Sequence, residues 1–241
     1  MGRAKDIIVK VIPAKIANEF VKKHHYSGKV VPNSTLHFGC FLDGKLHGVM
    51  SYGSPFRKDK VLHFVKNTGW NEMLELNRMA FDDYLPKYSE SRCIAVSIRL
   101  IKKNAPHIKW ILSFADGTQC GDGTIYRASG FLLLGIQKNN GIIKLENGEI
   151  RASVTFTKGK AILNNNGKAS IPETSIKLDG FQFRYIYLID KSCKITVPIL
   201  PFSKIDEMGA GMYKGEKITL QERRAKESDK VDSNANSKLE A

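Results

Sequence analysis

The chain is short of acidic residues. Against 38 lysines and arginines stand 24 aspartates and glutamates, a net charge of +14. It has no apolar run near the roughly 18 residues that a membrane helix needs, so no membrane partner is expected. The opening MGRAKDIIVKVIP lacks the apolar core and cleavage site of a secretion signal, and its sixth residue, Asp6, breaks a myristoylation pattern. A cytoplasmic protein is the expectation. There are four cysteines (Cys40, Cys93, Cys120 and Cys193), and none stands in C-x-x-C spacing. That argues against a disulfide framework and against ordinary zinc-ligand spacing, and leaves reduced thiols. No internal repeat is visible.

What is present is a long, basic body. The chain has 241 residues, and 42% of them are hydrophobic, enough for a sizeable core. From Lys214 to the end, seven basic residues face six acidic ones, so the excess charge lies before that point. A basic body implies nucleic acid or another polyanion; the plainer reading is solubility alone. From Glu216 onward few apolar residues occur among many charges, and a disordered or loosely helical tail over 216–241 is expected. Residues 1–215 are read as a single catalytic domain, with extra strands after about residue 140.

The patterning alternates strands and helices. Asp6 to Ile12 reads as a strand, and Pro13 opens a helix through HHY, since proline suits a first helical turn. HFGCFLDGKLHGVMSYG reads as a hairpin about Asp43-Gly44. Met73 to Phe81 reads as a strand. Ser89 is a plausible N-cap for a helix to about Lys103, with Ile94, Ile98 and Ile101 on one face and Arg92, Arg99 and Lys103 on another. KWILSF is a short buried strand, followed by a short helix from about Gly123 to Ser129 and the strand FLLLGIQ. A second hairpin signal lies at Asn147-Gly148. KAILNNNGKASIPETSIKL is irregular, and FQFRYIYLID is a strong strand. The fold class is α/β (α+β), with a mixed central sheet flanked by helices. The unit from Met73 to Phe114 should be a right-handed crossover, with its ligand edge at the strand C-termini.

The stretch WILSFADGTQCGDGTIYRASGF carries the densest chemistry. A calcium loop starting at Asp116 fails, because Arg127 falls where a bidentate glutamate is needed. No Gly-Lys-Ser/Thr follows, which excludes a P-loop. Cys120 as a nucleophile has no neighbour in sequence to lower its pKa. A catalytic corner places Asp116 just past the end of a strand, with Asp122 capping a helix that carries Tyr126. The alternative makes Asp116 a turn residue and Tyr126 a core aromatic. The residues alone leave both open.

HHYSGKV, ELNRMA, YSESRCIA and SFADGTQCGDGTIYRASGF together resemble the Mom family of phage DNA-modification proteins, over roughly His24 to Gln137. The resemblance implies an enzyme that adds a carbamoylmethyl (acetamide-type) group to the N6 of adenine in double-stranded DNA and so shields it from restriction. It also implies a fold like the Gcn5-related N-acetyltransferases, acetyl-CoA or another small donor as cofactor, and iron(II). One departure is plain: the Arg/Gln-x-x-Gly-x-Gly/Ala pattern of those acetyltransferases is missing from YSESRCIA.

Carried over residue by residue, the resemblance implies a catalytic set of Asp116, Tyr126 and Tyr26. Asp116 would accept the proton of the attacking amine. Tyr126 would donate to the leaving group or position it, and Tyr26 would stack on the extruded base or ligate metal. Arg78 and Ser91 would bind the donor. His25 is the metal candidate, with Glu75 and Asp82 or Asp83 completing a site; the plainer role of His24 and His25 is a cation at a helix end. Arg57, Lys58 and Lys60, with Lys102 and Lys103, would hold DNA phosphates. The expected partners are double-stranded DNA and a small-molecule donor, with a homodimer left open. Base flipping is expected because the target atom is paired inside the duplex. The competing readings are an N-acetyltransferase for a small molecule or protein, and a DNA-binding module without chemistry.

Overall fold

The computed structural model describes residues 2–153, 156, 162–163, 169–222 and 225. The charged stretch 226–241 and most of the irregular segment 157–168 lie outside the described residues.

Seven strands form one sheet in the order β1-β2-β3-β4-β5-β12-β6. They are β1 (Ile8–Val11), β2 (Ser34–Leu42), β3 (Lys45–Gly53), β4 (Met73–Phe81), β5 (Trp110–Asp116), β6 (Leu132–Lys138) and β12 (Phe181–Leu188). β1 to β4 are antiparallel neighbours, whereas β4 and β5 run parallel. The sheet is therefore mixed, as expected. The helices among the described residues include α1 (Ala14–His24), α2 (Lys58–Val61), α3 (Ser89–Asn104), α4 (Thr124–Ala128) and α5 (Ser203–Glu207). The β2–β3 hairpin closes on Asp43 and Gly44, both at positive φ (51° and 75°), the backbone that a two-residue hairpin turn requires.

The contacts divide the chain into two compact units. The first comprises 1–115, 123–135 and 183–200; the second comprises 116–122, 136–182 and 201–241. In the first, α1 and α3 cover opposite faces of the sheet. Ile12, Ala17 and Val21 pack with Val49 and Ala80, partners across β3 and β4. One residue along β3 the side chains turn to the other face. There Tyr52 donates to Ser97 Oγ of α3 at 2.6 Å, and Ser97 donates to the Ile94 carbonyl at 2.8 Å. Trp110, Leu112, Phe64, Met73 and Ile186 build a further core. The second unit holds β7 (Ile142–Lys144), β8 (Ile150–Ala152) and β11 (Ile176–Lys177) in one small sheet. It also holds the pair β9 (Ile162–Leu163) and β10 (Ala169–Ser170), and the hairpin of β13 (Met212–Tyr213) with β14 (Glu216–Lys217).

Two helix starts differ from expectation. Ser89 is the first helical residue of α3; the cap is Tyr88, at φ 72°, and Ser89 Oγ donates back to the Pro86 carbonyl at 2.5 Å. α4 is capped by Gly123 at φ 86°, not by Asp122. A β-carbon at Gly123 would run into the Tyr185 ring, so glycine is required by space as well as by backbone. The apolar-poor stretch beginning at Glu216 also starts inside regular structure, since Glu216 and Lys217 pair with Tyr213 and Met212 and Ile218 is buried.

Candidate active site

A one-residue bulge in β4 organises the first unit's polar cluster. Ser51 pairs with Arg78 and Tyr52 with Leu76, so Asn77 is the extra residue. In a regular strand Glu75 and Arg78, three apart, would point to opposite faces. The extra residue reverses that parity. Arg78 now shares the face of Val49 and Ala80, which is the α1 side, and Glu75 opposite Gly53 falls on the same side. Beyond the bulge β4 and β5 part company: their register runs from Met73↔Trp110 to Leu76↔Ser113 and stops.

The loop after α1 lies over this face. Arg78 donates from Nε to the Lys29 carbonyl at 2.9 Å and from Nη1 to the Asn77 carbonyl at 2.8 Å. Burial pulls the guanidinium pKa down, while Tyr26, Glu75 and Tyr126 hold it up; an arginine stays charged through such shifts. Burial drives Glu75 the other way, up to about 7, against the opposing influence of Asn77 and Arg78. Asn77 is buried; its Oδ1 accepts from Ser34 Oγ at 3.0 Å, and its Nδ2 makes no hydrogen bond of good geometry. His25 is pushed down to about 4 by burial and by the Arg78 charge, so it is neutral at pH 7. The cluster thus holds one fixed cation, one carboxyl poised near neutrality, a neutral imidazole and two phenols, of which Tyr26 is half exposed.

His25 does not fit the metal role. Its Nδ1 lies 3.1 Å from the Ser27 amide, which must donate to it, and 2.8 Å from Ser27 Oγ. Nδ1 is therefore the acceptor and Nε2 carries the proton, whereas a ligating histidine donates through its other nitrogen. Asp82 is bonded to His47 Nδ1 at 2.8 Å. Among the described residues no group of three or more His, Cys, Asp or Glu side chains could hold a metal ion. The donor set does not suit a protein-built iron site.

The remaining expected residues fall as follows. Tyr126 is buried in α4, its ring 5.4 Å from Phe131 and 5.2 Å from Tyr185. It acts electrostatically on both Arg78 and Tyr52, which associates it with the cluster. Asp116 belongs to the second unit, and its carboxylate is engaged three times. Thr118 N and Asn139 Nδ2 donate to Oδ1 at 3.0 and 3.2 Å, and Gln119 Nε2 donates to Oδ2 at 2.9 Å. This is the geometry of a turn-building residue. In the same loop Cys120 is exposed, yet desolvation of its thiol by the surrounding loop and the Asp116 charge push it up, the opposite of an activated nucleophile. Ser91 sits in the first turn of α3 and donates to the Tyr88 carbonyl at 3.2 Å. Arg57 is held by Asp59 at 2.7 Å, Lys58 lies 4.3 Å over the Trp70 ring, and Lys60, Lys102 and Lys103 are exposed.

The sequence reading took Glu75 only as a companion metal ligand and did not place it beside Arg78 on one face of β4. Its signal was an acid flanked by two leucines in a strand that also carries Asn77 and Arg78; the bulge that directs it is not visible in the residue pattern.

Comparison with known proteins decides the family. The model of the Mom protein family matches residues 6–204. The chain belongs to the Mom protein family. A Mom relative from Escherichia phage Mu, named methylcarbamoylase mom, is 30% identical over 199 residues, 79% of each chain. Among solved structures, a Bacillus subtilis acetyltransferase in complex with CoA matches with a TM-score of 0.44 and 10% identity, covering 76% of this chain and 98% of that one. The spermidine/spermine N-acetyltransferase SpeG of Vibrio cholerae matches with a TM-score of 0.44 and 8% identity, covering 79% and 97%. The Mom match takes in every residue of the β4 cluster, including Glu75, Asn77 and Arg78 in ELNRMA.

Proposed function

We propose that the chain is a DNA-modifying transferase that places a carbamoylmethyl group on adenine N6, acting in the cytoplasm of a phage-infected bacterium. The observation that carries this reading is membership of the Mom family across residues 6–204, together with a partly buried carboxyl set beside an arginine on one face of β4. The adenine amino group is a poor nucleophile, since its lone pair is delocalised into the ring. It needs a base to take its proton as the new carbon–nitrogen bond forms. Glu75 suits that task, with a pKa near the working pH. Arg78 beside it offers hydrogen bonds and positive charge to an electron-rich oxygen of the donor. Tyr26 offers an exposed ring for a base to stack on, and Tyr126 a phenol at the inner side of the cluster. Asp116 is assigned to building the β5–α4 loop rather than to the proton transfer.

On this reading the donor and the DNA have separate approaches. α3 begins at the C-terminal end of β4, and its first-turn amides and dipole favour an anion there. A coenzyme A-type donor would meet Ser91, Lys87 and the gap where β4 and β5 part; when bound it would supply an activated carbon for transfer. The other end of the sheet carries the basic groups. β3 ends there, β4 and β5 begin there, and α3 finishes there, which brings Arg57, Lys58 and Lys60 and also Lys102 and Lys103 to one end. Donor and DNA would thus reach the bulge from opposite ends.

The test is expression of the full chain in bacteria, followed by mass spectrometry of digested plasmid nucleosides. A modified deoxyadenosine heavier by the carbamoylmethyl increment is expected. Only the four ordinary nucleosides, from cells with abundant soluble protein, would remove the reading. Acetyl transfer to polyamines or protein instead would move it to an N-acetyltransferase.

A further inference from the structure

The connection from β3 to β4 holds two large aromatic side chains in water. Phe56 is 70% exposed and Trp70 58% exposed. Leaving such rings in solvent forgoes burial energy that a core position would gain. Their surroundings are basic: from Pro55 to Lys66 there are four lysines and arginines (Arg57, Lys58, Lys60 and Lys66) against one acid, Asp59. That charge is complementary to a nucleic-acid backbone and hostile to a basic or neutral partner.

The two rings differ in state. Trp70 has Lys58 Nζ 4.3 Å over it. For Phe56, no ring or cation contact occurs among the described residues. Yet its base is firmly built. Pro55 beside it is buried, and the Ser54 carbonyl accepts from the Asn33 side chain. The Lys60 amide bonds the Arg57 carbonyl at 3.0 Å, and Val61 is buried. Phe56 is also three residues beyond Gly53, the strand partner of Glu75. An exposed ring in a hydrogen-bonded basic connection, three residues from the strand partner of the proposed base, is therefore present.

We propose that Phe56 is a wedge that enters the DNA stack and fills the space left by the extruded adenine; this rests on the DNA-modifying reading above. The amino group to be modified is paired inside the duplex, so the base must leave the stack to reach Glu75. An apolar side chain inserted at the vacated step opposes its return, and phenylalanine is among the residues used for such insertion. Lys58 and Lys60 on the same loop would hold phosphates on either side of the opened step.

The test uses full-length protein and a pool of duplexes carrying 2-aminopurine in place of adenine with randomised flanks. Wild type is expected to raise the fluorescence several-fold on binding, as the probe leaves the stack. Phe56→Ala should lose most of that rise while binding the same duplexes with closely similar affinity, and Phe56→Trp should restore it. In cells, Phe56→Ala should leave plasmid unmodified or nearly so. Melting of Phe56→Ala near the wild-type temperature would show that the fold is intact. Phe56→Ala that flips as well as wild type overturns the wedge, and so does a fluorescence loss that merely follows a parallel loss of affinity. A wild type that binds and modifies DNA in those cases leaves the DNA-modifying reading standing. A wild type that neither binds nor modifies DNA overturns both.

Discussion

At the scale of single residues, Glu75 concentrates the chemistry. Its carboxyl is raised from 4.5 to about 7 by burial, so the fraction able to accept a proton grows as pH rises through about 7. The rate of DNA modification should rise over the same interval. His25 is neutral above about 4 and should add no limb of its own there. The same shift bears on stability. Between 4.5 and about 7 the unfolded chain releases a proton that the folded chain keeps, so this group's contribution to folding falls as pH rises and is fully unfavourable above 7. The penalty is at most about 3 kcal/mol, from a shift of that size. Glu75→Gln should therefore remove modification by about 100-fold or more, as loss of a general base does. It should also melt higher than wild type at pH 8 but not at pH 4.5. Paired rate and melting measurements across pH check both halves; a Glu75→Gln enzyme with near-wild-type activity would take Glu75 out of the mechanism. Asp116→Asn separates the two carboxylates. An asparagine there keeps one acceptor oxygen and loses the other, so about 1 kcal/mol of loop stability should go. Activity should fall far less than in Glu75→Gln.

At the scale of elements, the long strands and helices followed from periodicity, whereas the short α2, α5 and the β13–β14 hairpin did not. Met73–Phe81 and the hairpin about Asp43-Gly44 appear as expected, because apolar alternation and a positive-φ turn pair are local signals. The caps of α3 and α4 did not follow. Tyr88 and Gly123 take left-handed backbones, and at Gly123 the room a side chain would need is filled by the Tyr185 ring from far along the chain. The site was half legible. ELNRMA held Glu75 and Arg78 in view, but their placement on one face depends on the bulge at Asn77, and pairing register is a relation between two strands. Gly53 is the element-scale test of that arrangement. A β-carbon there would collide with the Asn33 carbonyl and the Ser34 backbone, where β2 and β3 come together opposite Glu75. Gly53→Ala should cost about 1–3 kcal/mol, the range for forced overpacking. It should lower activity beyond that loss, because β2 and β3 must separate at Gly53, and Gly53 is the strand partner that positions Glu75. Chemical denaturation alongside nucleoside analysis measures the two effects independently.

At the scale of the molecule, the net charge of +14 acquires a direction in the first unit. The connection 57–60 and the residues 102–103 are 42 or more positions apart in sequence, yet the parallel β4–α3–β5 path returns them to one end of the sheet. Lys87 and the start of α3 lie at the other end, with Lys87 Nζ 5.3 Å over the Tyr88 ring. If the basic end holds DNA, each phosphate contact removed there should reduce the slope of log affinity against log salt by about 0.9. Lys60→Ala should lower it by about one contact, and the double change Lys102→Ala with Lys103→Ala by up to about two. Lys87→Ala should leave the slope as in wild type and raise only the KM for the donor. Titrations of one duplex at several salt concentrations read this directly. A Lys87→Ala protein whose slope falls as much as that of Lys60→Ala would place DNA across both ends of the sheet, and the separation of donor and DNA approaches would have to be given up.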